Sequence, residues 1–394
     1  MIYFITLFLL IILSVHYDIN GQTKYRNQWY FAVQAILILI AGLRYRLGDD
    51  TINYIYEFYH VIPELRDLSI DEVIMSGIPP LWLLLNSIIK TIGWKFFVVQ
   101  LIEATIVNVL ILKYFRKHSL YPFLCVALYF FWRYQWYNMM IMKAAIALSI
   151  ILYANDYFLE KKYTKGLFLI LIATGFHQSS ILLVVVPFLT FLRFNISGVF
   201  LLACVYLFGV FLQSMLGDVF KLMELSEGLS TKLDGYVESG GIDQLHDFNF
   251  FIVNYVPIII YPILSLIYIK YKCKNSKLIR LEPFVMIGLM FQMIQFSVDI
   301  FYRYIYIYSL YYIPFIVHFF VEFSRNSGRL KGALSYIRSF IIVMPLLASF
   351  AYSRPLTYVI FYPYSSIMDK SINRDREKFF SERMSGYKFN LDEY

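Results

Sequence analysis

Apolar residues run through this chain in stretches of 15 to 25, separated by short polar and charged segments. Stretches of that length cross a hydrocarbon core of roughly 30 Å as helices. They lack the two-residue alternation of a barrel strand. The runs predict spans over 2–17, 29–43, 95–115, 119–134, 138–158, 196–214, 249–270, 282–299, 303–323 and 333–351. Three shorter runs, 79–92, 165–177 and 179–192, predict re-entrant or broken helices. The expected fold class is therefore all-α, a polytopic transmembrane helical bundle of about ten full spans plus those short helices, in a single integral membrane domain over 1–394. Residues 1–17 lack a charged leader and a small-residue cleavage site, so they read as a first span rather than a signal peptide.

Composition agrees. Of the 394 residues 59% are hydrophobic and 16% charged, against about 25% charged in soluble domains. The 35 Tyr and 37 Phe suit belts at both membrane interfaces. The formal net charge of +8 is not a nucleic-acid footprint, because the basic residues fall in short clusters between apolar runs. Lys24/Arg26, Arg116/Lys117, Lys161/Lys162/Lys165, Arg193, residues 270–280 and 325–331 carry these clusters, and the positive-inside rule makes them cytoplasmic. An even number of crossings must then lie between any two of them. That parity makes 79–92 a re-entrant or interfacial helix and folds 165–192 back on itself at "FHQSS". It also places 44–78, 216–248 and the tail 352–394 outside. Residues 52–62 are expected along the membrane surface.

The remaining ionisable residues then gather at the outer ends of the spans. Arg44, Arg46, Asp49 and Asp50 follow the second span, Arg133 ends another, and Lys143 starts the next. His177 sits at the break between two short helices, and Asp299 and Arg303 flank a late turn. Charges at membrane depth mark polar cavities by default. Singly, each has a plainer reading: arginines snorkel to the interface, Asp49 is a solvated turn residue beside Gly48, and a lone His is a satisfied packing residue. Together they describe an outward-facing, mainly cationic cavity with one or two carboxylates, suited to a lipid phosphate or pyrophosphate. No Walker loop, Ser–His–Asp order, HExxH or DxD spacing is present, and no metal or cofactor is called for. The three cysteines have no metal or disulfide spacing.

The stretch "LRYRLGDDTINYIYEF" resembles the R-x-x-x-G-x-D-T/Y-x-x-Y signature of the EpsG family of bacterial exopolysaccharide and O-antigen (Wzy-like) polymerases. Arg44, Gly48, Asp50, Thr51 and Tyr54 fall on it. "IPPLWLLLNSIIKTIGW" is similar to a second family segment, although no Glu precedes its prolines. "MKAAIALSIILYANDYFLEKKYTKGLFLILIATGFHQSSILLVVVPF" resembles a third, with His177 and Ser179 matched and Lys143-Ala144 standing where Arg-Gln is usual. The resemblance implies joining of polyprenyl-pyrophosphate-linked oligosaccharide repeat units at the outer face of the bacterial cytoplasmic membrane, for capsule, O-antigen or free exopolysaccharide. It implies a lipid-linked oligosaccharide and membrane lipid as partners, with a chain-length-regulating co-polymerase as a further one. Under it, Asp50 is the expected base or orienter of the acceptor hydroxyl, with His177 second. Arg44, Lys143 and Arg303 are expected to stabilise the leaving pyrophosphate. Arg46, Gly48, Thr51, Tyr54, Arg133 and Ser179 complete the expected substrate site. An O-antigen-ligase-like transferase and a flippase are the competing readings; an external loop of about 30 residues disfavours the first, and the absence of two-fold sequence symmetry the second.

Overall fold

A computed structural model describes residues 1–69, 73, 76–222, 256–273, 275–297, 301–325 and 358–383. It is all-helical, with no strand among the described residues. Among the described residues four helices are long and apolar enough to cross a membrane: Ile2–Ile19, Phe97–His118, Met142–Leu159 and Tyr304–Phe323.

In chain order, α1 (Ile2–Leu13) continues through a π-helical turn, and α2 (Arg26–Gly42) follows. Then come α3 (Asp49–Tyr56), lengthened by a π turn Glu57–Val61, α4 (Pro80–Thr91), α5 (Phe97–His118), α6 (Pro122–Trp132), α7 (Tyr134–Met139), α8 (Met142–Leu159) and α9 (Tyr163–Phe176). A 3-10 stretch Gln178–Leu189 leads to α10 (Ile196–Leu222). The described remainder is α11 (Tyr261–Tyr268), α12 (Ser276–Ile279), α13 (Glu282–Gln295), α14 (Tyr302–Arg325) and α15 (Arg374–Arg383).

Several expected boundaries shift. The span expected over 119–134 is α6, only 11 residues long. It breaks at Arg133 (φ −129°), where the short α7 begins. The next span starts at Met142 rather than 138, after Ile141 leaves the helical region. The expected span 282–299 is the 14-residue α13. Of 249–270 only the part from Val256 is described; 333–351 and residues 223–248 of the expected external loop lie outside the described residues, while α10 carries the loop's first turns. The break expected at "FHQSS" is observed: His177 is extended (φ −149°, ψ 107°) between α9 and the 3-10 stretch.

The packing centre is α8, which pairs with α9 as an antiparallel hairpin and meets α5 and α14. Polar groups caught there are tied to one another, as burial requires. Asn108 donates to Asn138 at 2.5 Å, Asn138 to the Tyr129 hydroxyl at 2.9 Å, and Asn155 to the Tyr311 hydroxyl at 2.9 Å. Tyr137 donates to the Tyr306 carbonyl and lies 3.0 Å from the Ser309 hydroxyl. These bonds fasten α7 to α5, α6 and α14, and α8 to α14.

The charges sort to two ends of α8, about 20 Å apart at 1.5 Å per residue. At its C-terminal end Asp156 takes Lys117 at 2.7 Å and His118 at 3.0 Å. Arg116 donates to Asn27 beside the start of α2. Lys162 beside Glu160 holds that carboxyl below its ordinary value, with Lys117 and Arg280 also contributing. So most of the basic clusters read as cytoplasmic collect at one end, and Lys143 stands at the other.

Candidate functional site

At the Lys143 end a cavity of about 200 Å³ is lined by Asp50, Tyr54, Lys143, His177 and Ser179, with Ile141, Ala144, Leu148, Tyr304, Tyr306 and Ile307. Five of the residues singled out from the sequence meet in it, although they come from three separate segments.

Local structure explains how each arrives. The chain leaves α2 at Gly42 and turns at Gly48, whose φ is +94°. A Cβ there would fall 1.7 Å from the Met139 carbonyl oxygen, so only glycine fits. The first turn of α3 is then anchored on the end of α7: the Thr51 hydroxyl donates to the Met139 carbonyl at 2.7 Å, and the Asp49 N–H to the Met140 sulfur at 3.2 Å. That anchoring aims Asp50 and, one turn on, Tyr54 into the cavity. Lys143 enters from the first turn of α8. His177 and Ser179 enter from the break after α9, and the Tyr304 hydroxyl donates to the Ser179 carbonyl at 3.1 Å, closing the wall against α14.

Lys143 is fixed from two sides. Its ammonium donates to both oxygens of Glu57, at 2.7 and 3.0 Å. It also lies 4.9 Å from the ring centre of Tyr54 and 5.8 Å from that of Trp82, within the range of cation–π attraction. Tyr54 and Trp82 pack on each other at 5.5 Å. Sequence reasoning missed Glu57. Asp50, Tyr54 and Glu57 are spaced i, i+4, i+7, which puts them on one helix face, whereas the stretch reads on its surface as apolar–polar alternation.

The other expected site residues stand elsewhere. Arg133 is buried behind the cavity, its guanidinium 4.4 Å from the Trp132 ring and 5.2 Å from that of Tyr306, a lining residue. Arg303 lies in the first turn of α14, next to Tyr304, and its side chain, like all of Asp299, falls outside the described residues. Arg44 and Arg46 line a second cavity of about 350 Å³ with Tyr45, Ile55, Tyr59, Lys95, Phe96, Phe97, Gln100, Ile367 and Lys370. Residues 49–61 form the wall between the two cavities, presenting Asp50 and Tyr54 to the first, Ile55 and Tyr59 to the second.

The described part of the tail is folded against that second cavity. An isolated bridge pairs Arg44 with Ser366, Tyr45 donates to the Ser365 carbonyl at 2.9 Å, and Ile367 donates back to Leu43 at 2.9 Å. Arg46 forms a two-pronged ion pair with Glu377 of α15, at 2.7 and 2.9 Å.

Membrane-length apolar helices carrying a polar, ionisable cavity at one end define a membrane protein. Residues 27–366 match the model of the EpsG family, and the chain belongs to that family. Membership supports a Wzy-like, polymerase-type function in general terms. No curated protein and no solved structure matches the chain.

Proposed function

We propose that the protein is a polysaccharide polymerase, a multi-pass glycosyltransferase of the bacterial cytoplasmic membrane. It joins oligosaccharide repeat units carried on polyprenyl pyrophosphate at the outer face. The observation that carries this reading is the convergence of Asp50, Lys143 and His177 on one cavity, at the end of the helices away from the basic clusters.

The chemistry follows from the groups. Asp50 takes the proton of an acceptor sugar hydroxyl as its oxygen attacks the anomeric carbon of the donor sugar. The bond from that carbon to the pyrophosphate oxygen breaks, and the lipid pyrophosphate leaves with the electron pair. Lys143 meets the negative charge that develops there. An ammonium has three N–H donors, so its pairing with Glu57 leaves it able to serve an anion. His177 orients the hydroxyl, and Tyr54 offers a ring face to the sugar.

The test is the size distribution of surface and lipid-linked glycan in a strain lacking the gene, with Asp50→Asn and Lys143→Ala alongside at equal protein level. The expected outcome is single repeat units accumulating outside and no long polymer. Repeat units held on the cytoplasmic face would mean a flippase. Long polymer still on its lipid would mean a ligase. Normal length in Asp50→Asn would remove Asp50 from the reaction.

A further inference from the structure

Polymerisation, as read above, needs two lipid carriers at once. The donor's pyrophosphate is bonded to the reacting carbon. The acceptor's pyrophosphate lies at the far end of its repeat unit, away from the attacking hydroxyl. A second anion seat, close to the first cavity but walled off from it, is what the acceptor requires.

The two cavities differ in charge accordingly. The first sets Asp50 and His177 beside a Lys143 whose charge is already paired with Glu57. The second is lined by Arg44, Arg46, Lys95 and Lys370, and no carboxylate is among its lining residues. Arg44 is fully buried, and its Nε and Nη2 have no hydrogen-bond partner. Arg46 keeps Nη1 unpartnered while its other prongs hold Glu377. Burial pulls the Arg44 guanidinium below its ordinary value, with Glu103 opposing that pull, yet an arginine stays charged in a protein. Buried donors left unpaired are costly. The buried Glu103, whose carboxylate oxygens are also unpartnered, offsets part of the Arg44 charge, and a phosphate drawn into the cavity adds the fork geometry that arginine offers. The cavity is at headgroup depth: Lys95 lies two residues before α5, a membrane-length helix, and its neighbour Trp94 is 52% exposed, as in an interfacial aromatic belt.

We propose that the cavity of Arg44, Arg46, Lys95 and Lys370 seats the pyrophosphate of the acceptor lipid carrier. The assignment of acceptor rests on the polymerase reading; the anion seat itself rests on the geometry.

The experiment is equilibrium binding of a labelled, sugar-free polyprenyl pyrophosphate to the full-length protein in nanodiscs, with inorganic pyrophosphate as a separate probe. Two lipid diphosphates per chain are expected. Because Arg44→Gln alters a buried group, the test variant is Lys95→Gln with Lys370→Gln, both exposed. It should weaken one site tenfold or more and leave the other unchanged, while Lys143→Ala does the converse. One site only, lost in Lys143→Ala and untouched by the lysine pair, overturns the second seat and leaves the polymerase reading standing. One site only, lost with the lysine pair and untouched by Lys143→Ala, supports the seat and removes Lys143 from donor binding. Inorganic pyrophosphate binding as tightly as the lipid form overturns the carrier assignment in favour of a soluble phosphate. No binding of either probe overturns the seat.

Discussion

Lys143 and Glu57 stand 86 positions apart in the chain, yet the ammonium of one reaches both carboxylate oxygens of the other, at 2.7 and 3.0 Å. The pair joins the start of α8 to the end of α3, the two elements that carry Lys143 and Asp50. On the polymerase reading Glu57 is then a positioning residue for Lys143. Glu57→Gln keeps an amide oxygen to accept from the ammonium but loses the carboxylate charge, so it should cost about 1 kcal/mol of stability, less than a full hydrogen bond to a charged group. Polymer length should also shorten, because the lysine loses its fixed place. Lys143→Met combined with Glu57→Leu should recover much of the stability, since an apolar pair can replace a part-buried ion pair, while polymer stays absent. Thermal melts of the purified variants and glycan gels separate the two effects; full-length polymer from the double variant would show the pair to be structural only.

Gly48 holds the turn that delivers Asp50. Its φ of +94° strains any other residue, and an added Cβ would overlap the Met139 carbonyl oxygen at 1.7 Å. Gly48→Ala should destabilise the protein by about 2–3 kcal/mol or more, seen as a lowered Tm and reduced membrane yield. Wild-type melting would show that the turn relaxes freely.

The helical class was legible in the apolar runs, and so was the break at His177, because length and composition decide both. Asp50, Lys143 and His177 were legible as ionisable groups gathered at one end of the spans, and Tyr54 and Ser179 only through the family resemblance. Glu57 was not, because periods of two and 3.6 are hard to separate over ten residues. Nor was the separation of Arg44 from Asp50, six residues on: that depends on which way α3 turns, and the turn is set by Met139, from a distant part of the chain. The docked tail left no signal at all. Its residues 358–383 open on the apolar run "YVIFYPY" and turn polar, a pattern that names no partner, and its partners at 43–46 lie more than 300 positions away.

Asp369 organises that tail. Its carboxylate accepts from the backbone N–H groups of Ser366 and Ser371, at 3.0 and 3.2 Å, and these bonds hold its carboxyl below its ordinary value. A carboxyl depressed in the folded state contributes stability above its unfolded value and loses it as pH falls through the lowered one. Tail docking should thus weaken on acidification below the ordinary carboxylate range. Limited proteolysis should cut the 365–371 turn severalfold faster there, and Asp369→Asn should show the fast rate already at neutral pH. A cleavage rate independent of both changes would exclude Asp369 as the organiser.

Arg46 and Glu377 make the firmest link between tail and body, with side chains only 4% and 11% exposed. Two parallel N–H···O bonds in a shielded place are worth more than a surface pair. Removing one partner leaves a buried charge unpaired, so Glu377→Ala should release α15 and expose the chain near 374–383 to protease. The same loss frees two prongs of Arg46 toward the cavity that Arg44 also lines. If that cavity seats a pyrophosphate, Glu377 and the ligand compete for one guanidinium, and Glu377→Ala should bind lipid pyrophosphate several times more tightly while only α15 is cut faster, because the 365–371 turn that carries Lys370 keeps its own backbone bonds to Leu43 and Tyr45. Exchanging the charges, Arg46→Glu with Glu377→Arg, should restore protease resistance and weaken anion binding. A tail released without any gain in anion affinity would mean that the Arg46 fork serves docking alone.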